Sequence, residues 1–346
     1  MGRRLGGFVA TWALISVGVI APWVAPPSAV AATGADWWHA VQVAADLTTS
    51  PPSVPVVILL GGSAARESTI SDQSWAAEVA AKGGPAVLTY NLGSRNQTLE
   101  QDVALASALP QGIAGTFIGM NLGRFTAAPA RLPIDTTPHP ELAAKYSQHH
   151  HMGSTILSVE RKRELARDWM ARRYPVFKDR YRANLRQLER LIKVCKERDL
   201  HPVLLDLPRN MLIIRHAWDQ PLGRYYRGCQ ALAEKYDIPF FRFMPGVHLL
   251  NTDFFDLAHL VQPGWPKWQG KLARQTVALL QPIYSASTSP GGGRGANGRT
   301  PRALLLLAAA AAAALGAGVT AKRRRGFASG ARGCASHAAP DRLHEE

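Results

Sequence analysis

Cysteine is scarce, with three residues in a chain of 346. That excludes a small scaffold held by disulfides and leaves room for at most one internal bridge. Acidic residues are short too, 25 Asp+Glu against 40 Lys+Arg, for a formal net charge of +15. The deficit is local. Residues 1–31 carry +2, residues 286–302 carry +3 and residues 322–346 carry +3. The remaining +7 falls entirely within residues 160–199, which hold 14 basic and 7 acidic residues. A general polyanion-binding surface is therefore not required, and no nucleic-acid partner is expected. No internal repeat is present, and an apolar content of 47% excludes a disordered chain.

What is present begins at the two ends. Arg3-Arg4, an apolar run from Leu5 to Ala25 and an Ala-x-Ala site ending at Ala31 describe an export signal over residues 1–31, with an uncleaved anchor as the alternative. Residues 286–302 are rich in Ser, Gly and Pro and read as a flexible linker. The uncharged run 303–321 is long enough for a transmembrane helix of roughly 28 Å. Lys322-Arg323-Arg324-Arg325 would hold the tail, 322–346, in the cytoplasm. The expected location is the cell membrane, single-pass, with the domain 32–285 outside. Cys195 and Cys229 would then lie in an oxidising space, either paired or as two buried free thiols; Cys334 would sit in the tail.

The body alternates strand and helix. Short apolar runs at 54–60, 86–90, 113–120, 202–207 and 239–243 read as buried strands. Helices are expected over about 73–82, 98–109 and 222–235, with a last one after Pro266. Pro175 is expected to divide the basic stretch into two helices. In the second, Tyr181, Leu185, Leu188, Ile192 and Cys195 make one core-facing stripe. Residues 122–159 have no clear period and read as an insertion or lid. The fold class expected is α/β: one doubly wound, five-stranded parallel sheet with its site at the carboxyl ends of the strands.

The residues just past those strands carry the chemistry. Gly61-Gly62-Ser63 follows strand one, Asn91-Leu92-Gly93-Ser94 strand two, and Gly119-Met120-Asn121 strand three. Past strand five comes Asp256-Leu-Ala-His259, where a carboxylate one helical turn or tight loop away can hold an imidazole tautomer while the other ring nitrogen faces a nucleophile. Ser63 would open a helix, where free N–H groups favour an oxyanion.

In order and spacing these blocks resemble the SGNH (GDSL-type) hydrolase superfamily over most of 54–285. The resemblance implies a flavodoxin-like three-layer sandwich and no cofactor. It implies Ser63 as nucleophile, His259 as general base and Asp256 as its orienting acid. The oxyanion hole would be the Ser63 and Gly93 N–H groups with the Asn121 amide. Two positions depart from the family pattern: Gly62 stands where the first block usually has Asp, and Leu122 where the third does. Both resemble divergent branches that handle acyl groups on cell-envelope polymers.

The expected function is a serine esterase or O-acyltransferase acting on acyl esters of envelope glycan or lipid. The alternative is a catalytically silent module of the same fold that binds envelope glycan or a membrane partner. A phosphate-binding protein is disfavoured, because the Gly61-Gly62-Ser63 turn lacks the Gly-x-x-x-x-Gly-Lys and Gly-x-Gly-x-x-Gly spacings. Arg66 reads as an exposed helix charge, and His149-His150-His151 as a solvated loop, with no metal site expected. The basic segment 160–199 reads as a solvated face, or one that meets an anionic polymer.

Overall fold

The structure, a computed structural model, describes residues 34–130, 133–146 and 156–287. The export signal, the span 303–321, the tail, Cys334 and His149–His151 lie outside the described residues. Among the described residues no helix is long and apolar enough to cross a membrane.

Five strands form one all-parallel sheet in the order β2-β1-β3-β4-β5: β1 (Val56–Leu60), β2 (Leu88–Asn91), β3 (Gly115–Met120), β4 (Pro202–Asp206) and β5 (Phe240–Arg242). The helices are α1 (Ala35–Thr49), α2 (Ser63–Arg66), α3 (Asp72–Ala81), α4 (Leu99–Ala108) and α5 (Pro140–Ala143), followed by α6 (Val159–Asp168), α7 (Tyr174–Glu197), α8 (Met211–Ile214), α9 (Asp219–Tyr236) and α10 (Trp265–Ser287). β1, β3 and β4 are buried at every residue, the signature of strands covered on both faces.

Strand pleating sorts the core into two halves. Val56, Ile58, Leu60, Ile118 and Leu204 face one side, against α1, α4, α7 and α9. Val57, Leu59, Phe117, Val203 and Leu205 face the other, against α2, α3 and α10. The result is a three-layer sandwich. On the second face Trp75 is fully buried and its indole N–H donates to Thr276 Oγ1 at 3.2 Å, fastening α3 to α10.

The structure bears on three expectations. The Pro175 break is milder than a division: a π-helical turn, Trp169–Arg173, links α6 to α7, and Pro175 sits in the first turn of α7, where the missing N–H costs no hydrogen bond. Within residues 122–159, two described stretches pack on the core. Leu122–Thr126 is a 3₁₀ turn whose Phe125 is fully buried, and Leu142 and Ala143 of α5 pack against the core alongside α1. Cys195 and Cys229 are buried free thiols on α7 and α9, and burial pushes the Cys195 thiol up to about 12.

Candidate active site

β1 ends at Leu60, and the chain turns through Gly61 and Gly62 directly into α2, placing Ser63 at its first position. A Cβ on Gly61 would lie 2.6 Å from the Ala65 Cβ, so the turn closes this tightly only with glycine. Past β5, residues 254–260 form a tight loop closed by a bridge between Phe254 and Leu260. The Phe255 N–H donates to the His259 carbonyl at 2.8 Å across it. The Asp256–His259 spacing is thus the loop alternative, not a helical turn.

The structure brings three of the expected residues together. His259 Nε2 lies 2.8 Å from Ser63 Oγ, across 196 residues of sequence. Its Nδ1 lies 2.9 Å from Asp256 Oδ2 and 3.0 Å from Oδ1. Asp256 Oδ1 also accepts the N–H groups of Ala258 and His259, each at 2.9 Å, which fixes the carboxylate. Ser63 is half-buried, and the side chains of His259 and Asp256 retain 18% and 21% of their exposure, so the row is reachable from solvent.

Electrostatics match the geometry. Burial works to lower the His259 pKa, but the hydrogen bond and charge of Asp256, with the charge of Glu67, outweigh it and raise the imidazole above its ordinary 6.5. Burial works to raise the Asp256 pKa. The His259 bond and charge and the two backbone N–H groups outweigh that and hold the carboxyl below 3.8. The pair favours an ionised Asp256 beside an imidazole ready to accept a proton.

The expected oxyanion donors are in different states. The Ser63 N–H donates to no backbone carbonyl among the described residues. Asn121 uses its Oδ1 to accept the Arg124 N–H at 3.2 Å and cap the 3₁₀ turn, and its Nδ2 makes no hydrogen bond among the described residues. The Gly93 N–H is engaged, donating to Asn91 Oδ1 at 3.1 Å. Asn91 in turn donates from Nδ2 to Ala65 O and Thr69 Oγ1, each at 2.8 Å, and so ties the β2 loop to α2. A Cβ at Gly93 would sit 2.7 Å from the Arg66 backbone nitrogen, so this loop approaches α2 only as glycine.

Arg66 corrects its expectation. It is 5% exposed, lies 3.4 Å from Asp36 and 3.7 Å from Glu67, and stands over the Tyr146 ring. Its charge is spent inside the fold, joining α1, α2 and the segment after α5.

Sequence reasoning missed two residues that hold the loop carrying Asp256 and His259. Lys162 of α6 is fully buried, and its ammonium donates to Phe254 O at 2.8 Å, Asn251 O at 2.9 Å and Asn251 Oδ1 at 3.1 Å. Asn210 donates from its backbone to Leu257 O at 2.9 Å and from Nδ2 to Asn251 Oδ1 at 2.8 Å. Together they clamp residues 251–257 from outside. Among the described residues no group of three or more His, Cys, Asp or Glu could hold a metal ion.

No family model matches the chain, and no curated protein matches it. Among solved structures it is similar to the lipase/acylhydrolase from Enterococcus faecalis, at 12% identity over 69% of this chain and 100% of that one, with a TM-score of 0.38. It is also similar to AlinE4, a SGNH-hydrolase family esterase, at 11% identity over 78% of this chain and 99% of that one, with a TM-score of 0.30. At those scores neither likeness carries an activity. The side chains must carry it.

Proposed function

We propose that the chain is a divergent SGNH-type serine hydrolase that cleaves or transfers acyl esters. One observation carries the reading: His259 bridges Ser63 Oγ at 2.8 Å and Asp256 at 2.9 Å, the row needed to activate a hydroxyl near neutral pH.

In the first half-reaction Ser63 Oγ attacks the ester carbonyl carbon while its proton passes to His259 Nε2. The carbonyl oxygen becomes an oxyanion held by the Ser63 N–H and Asn121 Nδ2. Gly93 joins as a third donor when its N–H exchanges Asn91 Oδ1 for that oxygen. Collapse expels the alcohol, which takes the proton from Nε2 and leaves an acyl-Ser63 ester. Water or an acceptor hydroxyl then attacks by the same proton path in reverse, releasing the carboxylic acid or a new ester. Asp256 holds the Nδ1–H tautomer throughout.

The substrate class proposed is an acyl ester of envelope glycan or lipid. Its support is the export signal and C-terminal span read from the sequence at the termini. One observation favours a silent binding module instead: the Gly93 N–H is occupied by Asn91. Hydrolysis of p-nitrophenyl acetate and p-nitrophenyl octanoate, with and without an added sugar alcohol, separates these readings. Release of p-nitrophenol that disappears in His259→Ala supports the hydrolase, and acylated sugar alcohol marks transfer. A folded chain with no turnover on either ester supports the silent module.

A further inference from the structure

A second cavity, of about 540 Å³, opens at the carboxyl ends of β4 and β5, outside the Ser63–His259–Asp256 row. That volume falls in the range of small-molecule sites, and the edge is the one where open α/β sheets bind ligands. One part of its wall is apolar, formed by Met211, Leu212, Leu222, Val247 and Leu249, and the rest carries Arg209, Asp219, Tyr226, Arg242 and His248. Large apolar side chains are concentrated at its rim. Leu212 is 54% exposed and Leu250, beside Leu249, is 55%, the two highest values for large apolar residues among the described ones; Met211 is 38% exposed. Leaving such residues in water is unfavourable by roughly 25 cal/mol per Å², so a cluster of them marks a surface meant to be covered.

One cation in this lining has no carboxylate partner. Arg209 is ion-paired with the buried Asp206, and Asp219 Oδ2 lies 3.0 Å from His216 Nδ1. Arg242, the last residue of β5, has no carboxylate within ion-pair distance among the described residues. Its guanidinium instead stands 3.7 Å from the centroid of the Tyr226 ring. Tyr226 is fixed from behind, its hydroxyl donating to Asp206 Oδ2 at 3.1 Å and accepting from Arg209 Nη1. Arg242 is thus a cation stacked in place at the mouth of this groove, with its N–H fork unused.

We propose that this groove binds a straight-chain alkyl carboxylate, the chain lying against Leu212, Leu222 and Leu249 and the carboxylate on the Arg242 fork. Two features select this class. A single free guanidinium matches a single negative charge, and its planar fork pairs bidentately with a carboxylate. The apolar part of the wall excludes a short or wholly polar anion. The proposal stands on the cavity and its charge and holds whether or not Ser63 reacts.

The test is calorimetric titration of the full-length Ser63→Ala chain with sodium dodecanoate, sodium butanoate and dodecan-1-ol. Dodecanoate is expected to bind at least about tenfold more tightly than dodecan-1-ol, with butanoate giving no measurable heat of binding. Arg242→Gln, at an exposed position, is expected to weaken dodecanoate by about tenfold or more while the circular dichroism spectrum stays that of the wild type. Leu212→Ser is expected to weaken both long-chain ligands alike. In the wild-type background both variants keep wild-type hydrolysis of p-nitrophenyl acetate, or the wild-type lack of it. Equal affinity for dodecanoate and dodecan-1-ol, or no change in Arg242→Gln, overturns the proposal. So does loss of dodecanoate binding after a small organophosphate is attached to wild-type Ser63, since that would place the ligand in the serine cleft.

Discussion

Asp206 and Asp256 are both carboxylates at the carboxyl-terminal edge of one parallel sheet, and their hydrogen bonds run to opposite ends. Asp206, the last residue of β4, is fully buried and accepts from Tyr225 at 2.8 Å, Tyr226 at 3.1 Å and Arg209. Among the described residues these bonds terminate inside the fold, because Arg209 donates onward there only to Tyr226 and Leu207 O. Asp256 sits on a loop, partly exposed, and its hydrogen bonds run through His259 to the Ser63 hydroxyl, which ends the chain of bonds. A closed network raises specificity and stability. An open-ended one leaves an atom free to react. Residue type alone does not separate them; what decides is whether the last partner is saturated.

The comparison can be broken by exchanging each acid for its amide. The largest effect is expected in Asp256→Asn, which removes the tautomer control and the charge that favours imidazolium. Turnover of p-nitrophenyl acetate should fall by about 10²–10⁴-fold, while the melting temperature moves by no more than a few degrees. An activity loss below about tenfold would place Asp256 with the structural acids.

Asp206→Asn should do the reverse. It leaves Arg209 buried without its counter-charge, costing roughly 3–5 kcal/mol of stability by urea denaturation, with turnover of the folded fraction unchanged. A variant that folds normally but loses turnover would contradict the division.

Lys162→Met tests whether the clamp on the loop carrying Asp256 and His259 matters to chemistry. Its loss leaves the Asn251 and Phe254 carbonyls without their ammonium donor, while Asn251 Oδ1 keeps Asn210 Nδ2. The expectation is a fall in kcat of about tenfold with KM unchanged, and a stability cost of roughly 1–3 kcal/mol. A purely structural clamp would lower stability alone.

The smallest effect is a pH shift, and its signs are opposed. With neutral His259 as the proposed base, the rate should fall as the ring protonates. Because the folded pKa is raised above 6.5, the half-maximal rate of the wild type should lie above pH 6.5. Asp256→Asn leaves burial as the dominant influence and should move that midpoint down. Lys162→Met removes a cation that feels the Asp256 charge and should move it slightly up. Rate–pH profiles of the three proteins read both directions, and shifts of the same sign would refute the assignment of charges.

Much of this was legible in the sequence. The buried strands showed as short apolar runs because burial on both faces removes alternation, and β1, β3 and β4 fall inside the runs that predicted them. Ser63, Asp256 and His259 were readable because each follows a strand or closes the domain. What escaped notice depends on contacts between distant elements. α1 shows no single stripe: Trp37, Trp38, Val41, Val43 and Leu47 are all buried, and Gly34 offers no side-chain cap to mark its start. Arg66 looks like a surface charge until Asp36 and Tyr146 arrive from two other segments. Lys162 is one of 14 basic residues in its stretch, and only a loop 89 residues away buries it.

The central claim is that Ser63 is an activated nucleophile, and a fluorophosphonate probe tests it most directly. Incubation of the full chain at pH 8, followed by peptide mass mapping, should find one adduct, on Ser63. Labelling should vanish in Ser63→Ala and slow by at least about 100-fold in His259→Ala. A chain that is folded by circular dichroism yet stays unlabelled, or labels at another residue with equal rate in Ser63→Ala, would contradict the account.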